Sequence, residues 1–271
     1  MASTEQAPLG GKRIVITRAP EQAGELSGEL ERLGAEVLSL PAVTFADPAD
    51  LTPLDEAIHA LRSFDWVVFT SQNAVRFFLK RCRRLGQMPQ RDGAPAAAAV
   101  GPATAEAARK ESLQLDFVAR EFRGIALAEE LRAQVAGKRV LLPRSDRAAA
   151  DLPAALRSSG AEVVEVVAYC TSAPESFDRG VTQAIRRGAV DVVSFLSPSA
   201  FHNLAEGIGL ETLRKVAGRV ALAAIGPVTA STIREAGLTV DIETTESTAA
   251  SLVAAMTRYF AQRLPSGVKL P

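Results

Sequence analysis

The chain has 271 residues, of which 47% are hydrophobic and 23% charged, and its formal net charge is zero. This profile is typical of soluble globular proteins and excludes disordered, collagen-like and low-complexity classes. Non-specific nucleic-acid binding depends on neutralising many phosphates, so the zero balance predicts no nucleic-acid partner.

Cysteine and histidine are scarce. The two cysteines, Cys82 and Cys170, are too few for a disulfide scaffold and lack metal-ligand spacing, and there are only two histidines. No apolar run reaches the roughly 18 residues of a membrane span. The first residues show no basic start followed by an apolar core, so no signal peptide is expected. These features predict a cytoplasmic protein without a membrane partner or a metal.

Taken in chain order, short apolar runs alternate with helical patterns. Apolar runs without polar alternation predict buried parallel strands. They lie at 14–16, 66–69, 140–142 and 220–225. Leucines and other apolar residues spaced three or four apart predict helices near 26–33, 54–61, 127–131 and 252–256. This alternation predicts an α/β fold of right-handed βαβ units with doubly wound parallel sheets.

The sequence also repeats itself. The segment 11–18 returns as 137–144, and 34–37 returns as 160–163, both at an offset of 126 residues (137 − 11 and 160 − 34). After one lost residue, 101–105 matches 226–230 at an offset of 125. A register kept over this length predicts an internal duplication, with two similar lobes.

Two long extended stretches indicate how the lobes join. The stretches 36–45 and 162–171 are long for sheet strands, and Pro41 interrupts the first. Polar, proline-containing segments follow both of them. Two crossings between the lobes would build one lobe from both chain ends. A break near residue 135 with two tandem lobes is the simpler alternative.

The turns from strand to helix carry the polar residues. Serine and threonine are frequent N-caps, and proline suits the first helical position. Free N–H groups of a first helical turn bind anions, and open α/β sheets place ligands at the carboxyl ends of their strands. The candidates at these turns are Ser71, Asn73, Gly101, Thr104, Ser197, Ser199, Gly226 and Thr229. The competing interpretation is that each hydroxyl only caps its helix.

Three further residues stand out. Arg18 and Arg144 end equivalent strands, where each would bind a ligand carboxylate or form a salt bridge with a neighbouring helix. Tyr169 lies on the second long stretch, and its repeat equivalent is Val43. A phenol donates a hydrogen bond or a proton at neutral pH, although simple packing of the ring is the alternative. No nucleotide-binding loop or common catalytic motif occurs, which predicts a site without a cofactor.

The chain resembles the uroporphyrinogen-III synthase family from residue 11 to about residue 260. Each motif is short, and their order and spacing together carry the resemblance. In chain order they are Ile16-Thr17-Arg18, then 69–75, 100–105, 167–171 and 224–230. Gln72 departs from the family, many members of which have proline or another residue there.

The resemblance implies two α/β lobes joined by a two-stranded connector, with the active site in the cleft between the lobes. It places one lobe at 1–41 plus 172–271, the other at 46–166, and the connector at 42–45 and 167–171. It also implies a cofactor-free hydro-lyase of tetrapyrrole and haem biosynthesis, which we expect to be a monomer.

The implied reaction cyclises the linear tetrapyrrole hydroxymethylbilane to uroporphyrinogen III, with loss of water and inversion of the last pyrrole ring through a spiro intermediate. By resemblance, Tyr169 assists departure of the hydroxide, and Thr104 and Thr229 are the paired threonines of the glycine turns. Ser71, Asn73, Ser197 and Ser199 carry over as substrate-binding residues. The alternative function is a non-catalytic two-lobed binding module for a small acidic ligand, a class that is often exported.

Overall fold

The computed structural model describes residues 7–89, 93–121 and 124–263. The strands are β1 (Arg13–Ile16), β2 (Glu36–Ser39), β3 (Thr44–Ala46), β4 (Trp66–Phe69), β5 (Ala96–Ala99), β6 (Phe117–Val118), β7 (Arg139–Ser145), β8 (Glu162–Ser172), β9 (Val192–Phe195), β10 (Ala221–Ala224) and β11 (Ile242–Glu243). The helices are α1 (Pro20–Arg32), α2 (Thr52–His59), α3 (Gln72–Leu85), α4 (Pro102–Lys110), α5 (Gly124–Val135), α6 (Asp151–Ser158), α7 (Arg179–Arg187), α8 (Pro198–Ile208), α9 (Leu210–Val216), α10 (Pro227–Glu235) and α11 (Ala249–Ala261).

The chain divides into two compact units. One comprises Met1–Thr44 and Ala173–Pro271, and the other is Phe45–Ser172. In the first unit the strand order is β11-β10-β9-β1-β2, and in the second it is β3-β8-β7-β4-β5-β6. The registered pairings within β2-β1-β9-β10-β11 and within β8-β7-β4-β5-β6 are parallel. The predicted α/β class with parallel sheets is confirmed.

The chain passes from one unit to the other at Thr44–Phe45 and at Ser172–Ala173. The strand β3 begins at Thr44, and before it Ala42 donates its N–H to the Thr17 carbonyl, 2.9 Å away, while its carbonyl accepts from Asn203 at 2.7 Å. Residues 167–171 are a continuation of β8, which stays paired with β7 as far as Tyr169. The strand β3 lies beside β8 at the edge of the same sheet.

Both sheets are covered by helices on their two faces, which explains the continuous apolar runs of their strands. In the second unit, Val67 and Phe69 pack towards α2, α3 and α4, while Val68 packs towards α5 and α6. In the first unit, Val15 packs towards α7 and α8, while Ile14 and Ile16 pack towards α1 and α11. No described helix is long and apolar enough to cross a membrane.

An aspartate ties the central strands together in each unit. Asp191, just before β9, accepts the Arg13 N–H at 2.9 Å and pairs with Lys12 at 3.3 Å. Asp65, just before β4, accepts the Arg139 N–H at 2.8 Å and pairs with Lys138 at 3.0 Å. The Arg139 N–H and the Lys138 ammonium hold the pKa of Asp65 below its usual value. The repeated Gly-Lys-Arg segment therefore begins a strand whose first N–H is bound by a distant aspartate.

We expect Asp191→Ala to lower the free energy of unfolding by about 1–3 kcal/mol, because it leaves the Arg13 N–H without its acceptor. Asp191→Asn keeps an acceptor oxygen and should lose less. Urea denaturation at neutral pH measures both, with Glu211→Ala, which removes an exposed ion pair to Arg214, as the control. Equal losses in Asp191→Ala and the control would contradict the assigned role of the aspartate.

Candidate active site

In the second unit, the predicted residues lie at the carboxyl edge of the sheet, where β4 and β5 lead into helices. Ser71 is the N-cap of α3, and its hydroxyl accepts the Ala74 N–H at 3.1 Å. Asn73 follows in the first turn of α3 and is buried. Gly101 is the N-cap of α4 in extended backbone, and Thr104 is buried one turn into that helix.

Tyr169 lies against this edge. Its side chain is 7% exposed, and its hydroxyl lies 3.0 Å from the Ser71 Oγ. The ring stacks on Phe77 of α3 with centroids 5.5 Å apart and meets Phe45 of β3 edge to face at 5.8 Å. The two aromatic contacts and the hydrogen bond hold the phenol in one place.

The phenol of Tyr169 is held in its protonated form. Burial raises its pKa, and the charge of Asp146 raises it further. Hydrogen bonds with Ser71 and Ser145 act in the opposite direction, but burial prevails. A neutral buried phenol is a hydrogen-bond and proton donor at physiological pH.

Arg144 is buried within β7, and its charge is already balanced inside the unit. It forms an ion pair with Glu165 of the adjacent strand β8 and donates to the Ala149 carbonyl. Its ion pair is thus with a strand residue, whereas the sequence suggested a helix as the alternative to a ligand. Arg157 binds the other oxygen of Glu165 at 2.7 Å. Burial raises the pKa of Glu165, but hydrogen bonds from Arg157 and Arg144 outweigh burial and hold that pKa below its usual value.

A cavity of about 240 Å³ opens beside Arg144 at the same edge of the sheet. Thr70 and Val100, which follow β4 and β5, line it together with Gly124 at the start of α5 and Asp151 at the start of α6. Two helix starts and the ends of two strands therefore border one small cavity in the second unit.

In the first unit, the corresponding helix starts are also capped. Ser197 is the N-cap of α8, and its hydroxyl accepts the Ala200 N–H at 3.2 Å. Ser199 is exposed in the first turn of α8, and Thr229 is buried in α10. The N-cap of α10 is Gly226.

The backbone at Gly226 needs glycine. Its φ is +86° with ψ 168°, a region nearly restricted to glycine, and an added Cβ would lie 2.5 Å from the Ser247 hydroxyl oxygen. Its N–H donates to Thr244 Oγ1 at 3.1 Å. Gly101, its repeat equivalent, has φ −170°, which other residues adopt without strain. The two glycine turns are therefore not conformationally equivalent.

Arg18 differs from Arg144 in its charge balance. It is half-buried after β1, and its Nε donates to the neutral Gln22 amide oxygen at 3.3 Å. Burial lowers its pKa, and the charge of Glu25 raises it to a smaller extent. Among the side chains that the structure describes, those of residues 20 and 21 excepted, no carboxylate pairs with the guanidinium.

Sequence reasoning did not identify Ser145, Asp146 and the rings of Phe45 and Phe77 as neighbours of Tyr169. The signal for Ser145 and Asp146 was their position directly after β7, at the same sheet edge as the predicted residues. The two phenylalanines carried no such signal, because an aromatic residue near a helix is usually part of the core. The described residues contain no group of three His, Cys, Asp or Glu side chains arranged to hold a metal ion.

A family model described as uroporphyrinogen-III synthase HemD matches residues 24–254. The chain is 33% identical over 262 residues to uroporphyrinogen-III synthase from Synechococcus elongatus, covering 95% of this chain and 98% of the relative. The chain belongs to the uroporphyrinogen-III synthase family. Family membership makes it a hydro-lyase that acts on a tetrapyrrole.

Solved structures of uroporphyrinogen-III synthases share the fold. The enzyme from Helicobacter pylori matches with a TM-score of 0.62 at 17% identity, covering 94% of this chain and 100% of that one. A mutant enzyme from Thermus thermophilus matches with a TM-score of 0.59 at 20% identity, covering 93% and 100%.

We expect Glu165→Gln to lower the free energy of unfolding at pH 7 by about 1–3 kcal/mol, since it leaves buried Arg144 without its counter-charge. Because the folded pKa of Glu165 is lowered, its contribution is complete above the unfolded value, about 4.3, and is lost as pH falls through the folded value.

Urea denaturation at pH 7 and at about pH 3.5 measures both effects. Because Glu165→Gln has no carboxylate to protonate at this position, its free energy of unfolding should fall less between pH 7 and about pH 3.5 than that of the parent. Glu162→Gln, which removes an exposed pair with Arg139, is the control and should change little. A parent and a Glu165→Gln variant with the same acid dependence would contradict this account of the ion pair.

Proposed function

We propose that the chain cyclises hydroxymethylbilane to uroporphyrinogen III, losing water and inverting the last pyrrole ring through a spiro intermediate. The family match over 24–254 is the observation that carries the proposal. The geometry contributes a buried phenol bonded to Ser71, next to helix starts suited to carboxylates.

Tyr169 is the residue that assists departure of the hydroxide. Ser71 Oγ accepts the Ala74 N–H, so its own hydrogen is available to the phenol oxygen and the phenol hydrogen is available to the leaving group. The phenol proton and the hydroxide form water, and a cationic azafulvene remains on the substrate. When the ring system regains aromaticity, a carbon-bound proton is released and restores the phenol, so the protons balance.

The helix starts bind the acetate and propionate side chains of the substrate. Ser71, Asn73, Gly101 and Thr104 serve in the second unit, and Ser197, Ser199, Gly226 and Thr229 serve in the first. The N–H groups of a first helical turn bind carboxylates without a formal charge. Holding the chain in the orientation for attack at the substituted ring carbon is worth up to about 7–11 kcal/mol.

The two arginines have different roles in this proposal. The charge of Arg18 is desolvated, and a substrate carboxylate is its counter-ion in this proposal. Arg144 is neutralised by Glu165 and contributes through the shape of the cavity it lines and through its remaining N–H groups. No organic cofactor takes part in the proposed steps.

We also propose that the chain contains two copies of one ancestral lobe and that the copies exchanged their first two strands with each other. The offset supports this: β7 begins at residue 139, which is 126 residues after β1 at 13, and β9 begins at 192, which is 126 residues after β4 at 66. Under this correspondence, β2-β1-β9-β10-β11 and β8-β7-β4-β5-β6 are the same strand order.

Tyr169→Phe should lower kcat about 100-fold, because the variant keeps the ring and loses the proton donor. Freshly prepared hydroxymethylbilane is the substrate, and the products are oxidised and separated into type I and type III isomers. Tyr259→Phe, at the other tyrosine of the chain, is the matched control and should keep the parent rate.

Exclusive formation of the type I isomer at high concentrations of the parent protein would overturn the proposed activity and favour a binding module. Type III product formed at the parent rate by Tyr169→Phe would remove only the role of the phenol. Thermal unfolding of Tyr169→Phe and Tyr259→Phe checks that both variants keep the fold.

A further inference from the structure

The end of β7 forms a hydrogen-bonded group around the backbone of Tyr169. In the β7–β8 register, Ser145 is the cross-strand partner of Tyr169, and the ladder is irregular between Arg144 and Ser145. Irregularities of this kind redirect side chains at the edge of a sheet. Here the irregularity brings the side chains of Ser145 and Asp146 to the residues that flank the phenol.

Asp146 binds β8 on both sides of Cys170. Its N–H donates to the Tyr169 carbonyl at 3.1 Å, and its Oδ1 accepts the Thr171 N–H at 2.9 Å. The side chain thus continues the strand pairing past the end of β7. Its position is fixed by main-chain groups, which a freely rotating surface carboxylate lacks.

Ser145 is also held from several sides. Its hydroxyl donates to Asp146 Oδ1 at 2.9 Å, lies 3.1 Å from the Thr171 hydroxyl oxygen and accepts the Arg147 N–H at 3.2 Å. The structure therefore places an ordered hydroxyl and an ordered carboxylate against the strand residues on either side of Cys170. Neither residue has a role in the reaction proposed above.

We propose that Ser145 and Asp146 are positioning residues for Tyr169, with the Asp146 charge maintaining the phenol as the proton donor and the Ser145 hydroxyl turning its single hydrogen from Asp146 to the phenol oxygen after the proton has left. The catalytic meaning of this proposal rests on the proposed function. The electrostatic coupling itself does not, because it exists without substrate.

Three other carboxylates on or next to the elements packed around Tyr169 have ion pairs. Asp47, just after β3, binds Lys80 of α3 at 2.9 Å, and Asp55 of α2 binds Arg81 of α3 at 2.5 Å. Glu165 of β8 binds Arg144 and Arg157. Arg76 precedes Phe77 on α3. Among the residues that the structure describes, the Asp146 carboxylate has one ion-pair contact, with Arg147 at 3.9 Å.

The physical effects of the two residues on the phenol have opposite signs. The negative charge of Asp146 raises the pKa of Tyr169, whereas the hydrogen bond with Ser145 lowers it. Asp146 also raises the pKa of the neighbouring Cys170 thiol, which is already raised by burial. Removing the charge and removing the hydroxyl should therefore move the tyrosine titration in opposite directions.

The test is a spectroscopic titration of tyrosinate absorbance in a Tyr259→Phe background, where Tyr169 is the only tyrosine. Asp146→Asn keeps an oxygen acceptor for Thr171 and Ser145 and removes the charge, so it should lower the titration midpoint. Ser145→Ala should raise it. Asp146→Glu keeps the negative charge, so its titration midpoint should stay close to that of the parent. Asp178→Asn, which removes a charge at the N-cap of α7, should leave the midpoint unchanged.

Two further readouts keep the test decisive if the chain unfolds at high pH. The alkylation rate of Cys170 should reach half-maximum at lower pH in Asp146→Asn, while Cys82 stays inert because burial raises its pKa to about 12. The alkaline limb of kcat should shift with the tyrosine midpoint, down in Asp146→Asn and up in Ser145→Ala, with KM changed less than twofold, the expectation for a group acting on the transition state.

Unmoved midpoints for both Tyr169 and Cys170 in Asp146→Asn would overturn the coupling, as would shifts of the same sign in Asp146→Asn and Ser145→Ala. Midpoints that shift while the alkaline limb of kcat stays fixed would overturn the catalytic role. Failure of the proposed function is recognised separately, because the parent protein would then form no type III isomer whatever the titrations show.

Discussion

The bond from an aspartate to the first N–H of a distant strand is the interaction on which the rest of the structure depends. Asp191 binds Arg13 and Asp65 binds Arg139, and each bond fixes the register between two central strands far apart in the sequence. Parallel pairing then places the carboxyl ends of the parallel strands in a unit at one edge. The caps of Ser71 and Ser197 and the phenol of Tyr169 lie where they do because of that register.

The candidate site residues are less symmetric than the sheets. Tyr169 has no counterpart in the first unit, because its repeat equivalent is Val43. Arg144 pairs with Glu165, whereas Arg18 donates to the neutral Gln22 amide, and Gly226 has a positive φ where Gly101 is extended. Strands and helices are thus repeated between the units, while the polar residues at the edges differ.

Much of the fold follows from the sequence, because continuous apolar runs and three-to-four spacing identify strands and helices covered on both faces. Three helices, α4, α8 and α10, begin at a proline (Pro102, Pro198 and Pro227), the first helical position that proline suits. The ion pair of Arg144 with Glu165 was not predictable, since it depends on the register of two neighbouring strands. The same holds for Asp146, whose contact with Thr171 requires the irregular pairing after Arg144. The spacing of residues along one strand predicts neither the Arg144–Glu165 pair nor the Asp146–Thr171 bond.

The central claim is that the helix starts at the carboxyl edges, together with Tyr169, bind the linear tetrapyrrole. Amide hydrogen exchange with and without a bilane whose terminal hydroxymethyl group is replaced by methyl tests it directly, since that analogue cannot lose hydroxide. The account predicts slower exchange at 72–75, 103–105, 199–201 and 228–230 and in the segment around Tyr169, with exchange elsewhere unchanged. Protection confined to other regions, such as the groove lined by residues 173–177 and 203–208, or no protection at saturating analogue, would contradict it.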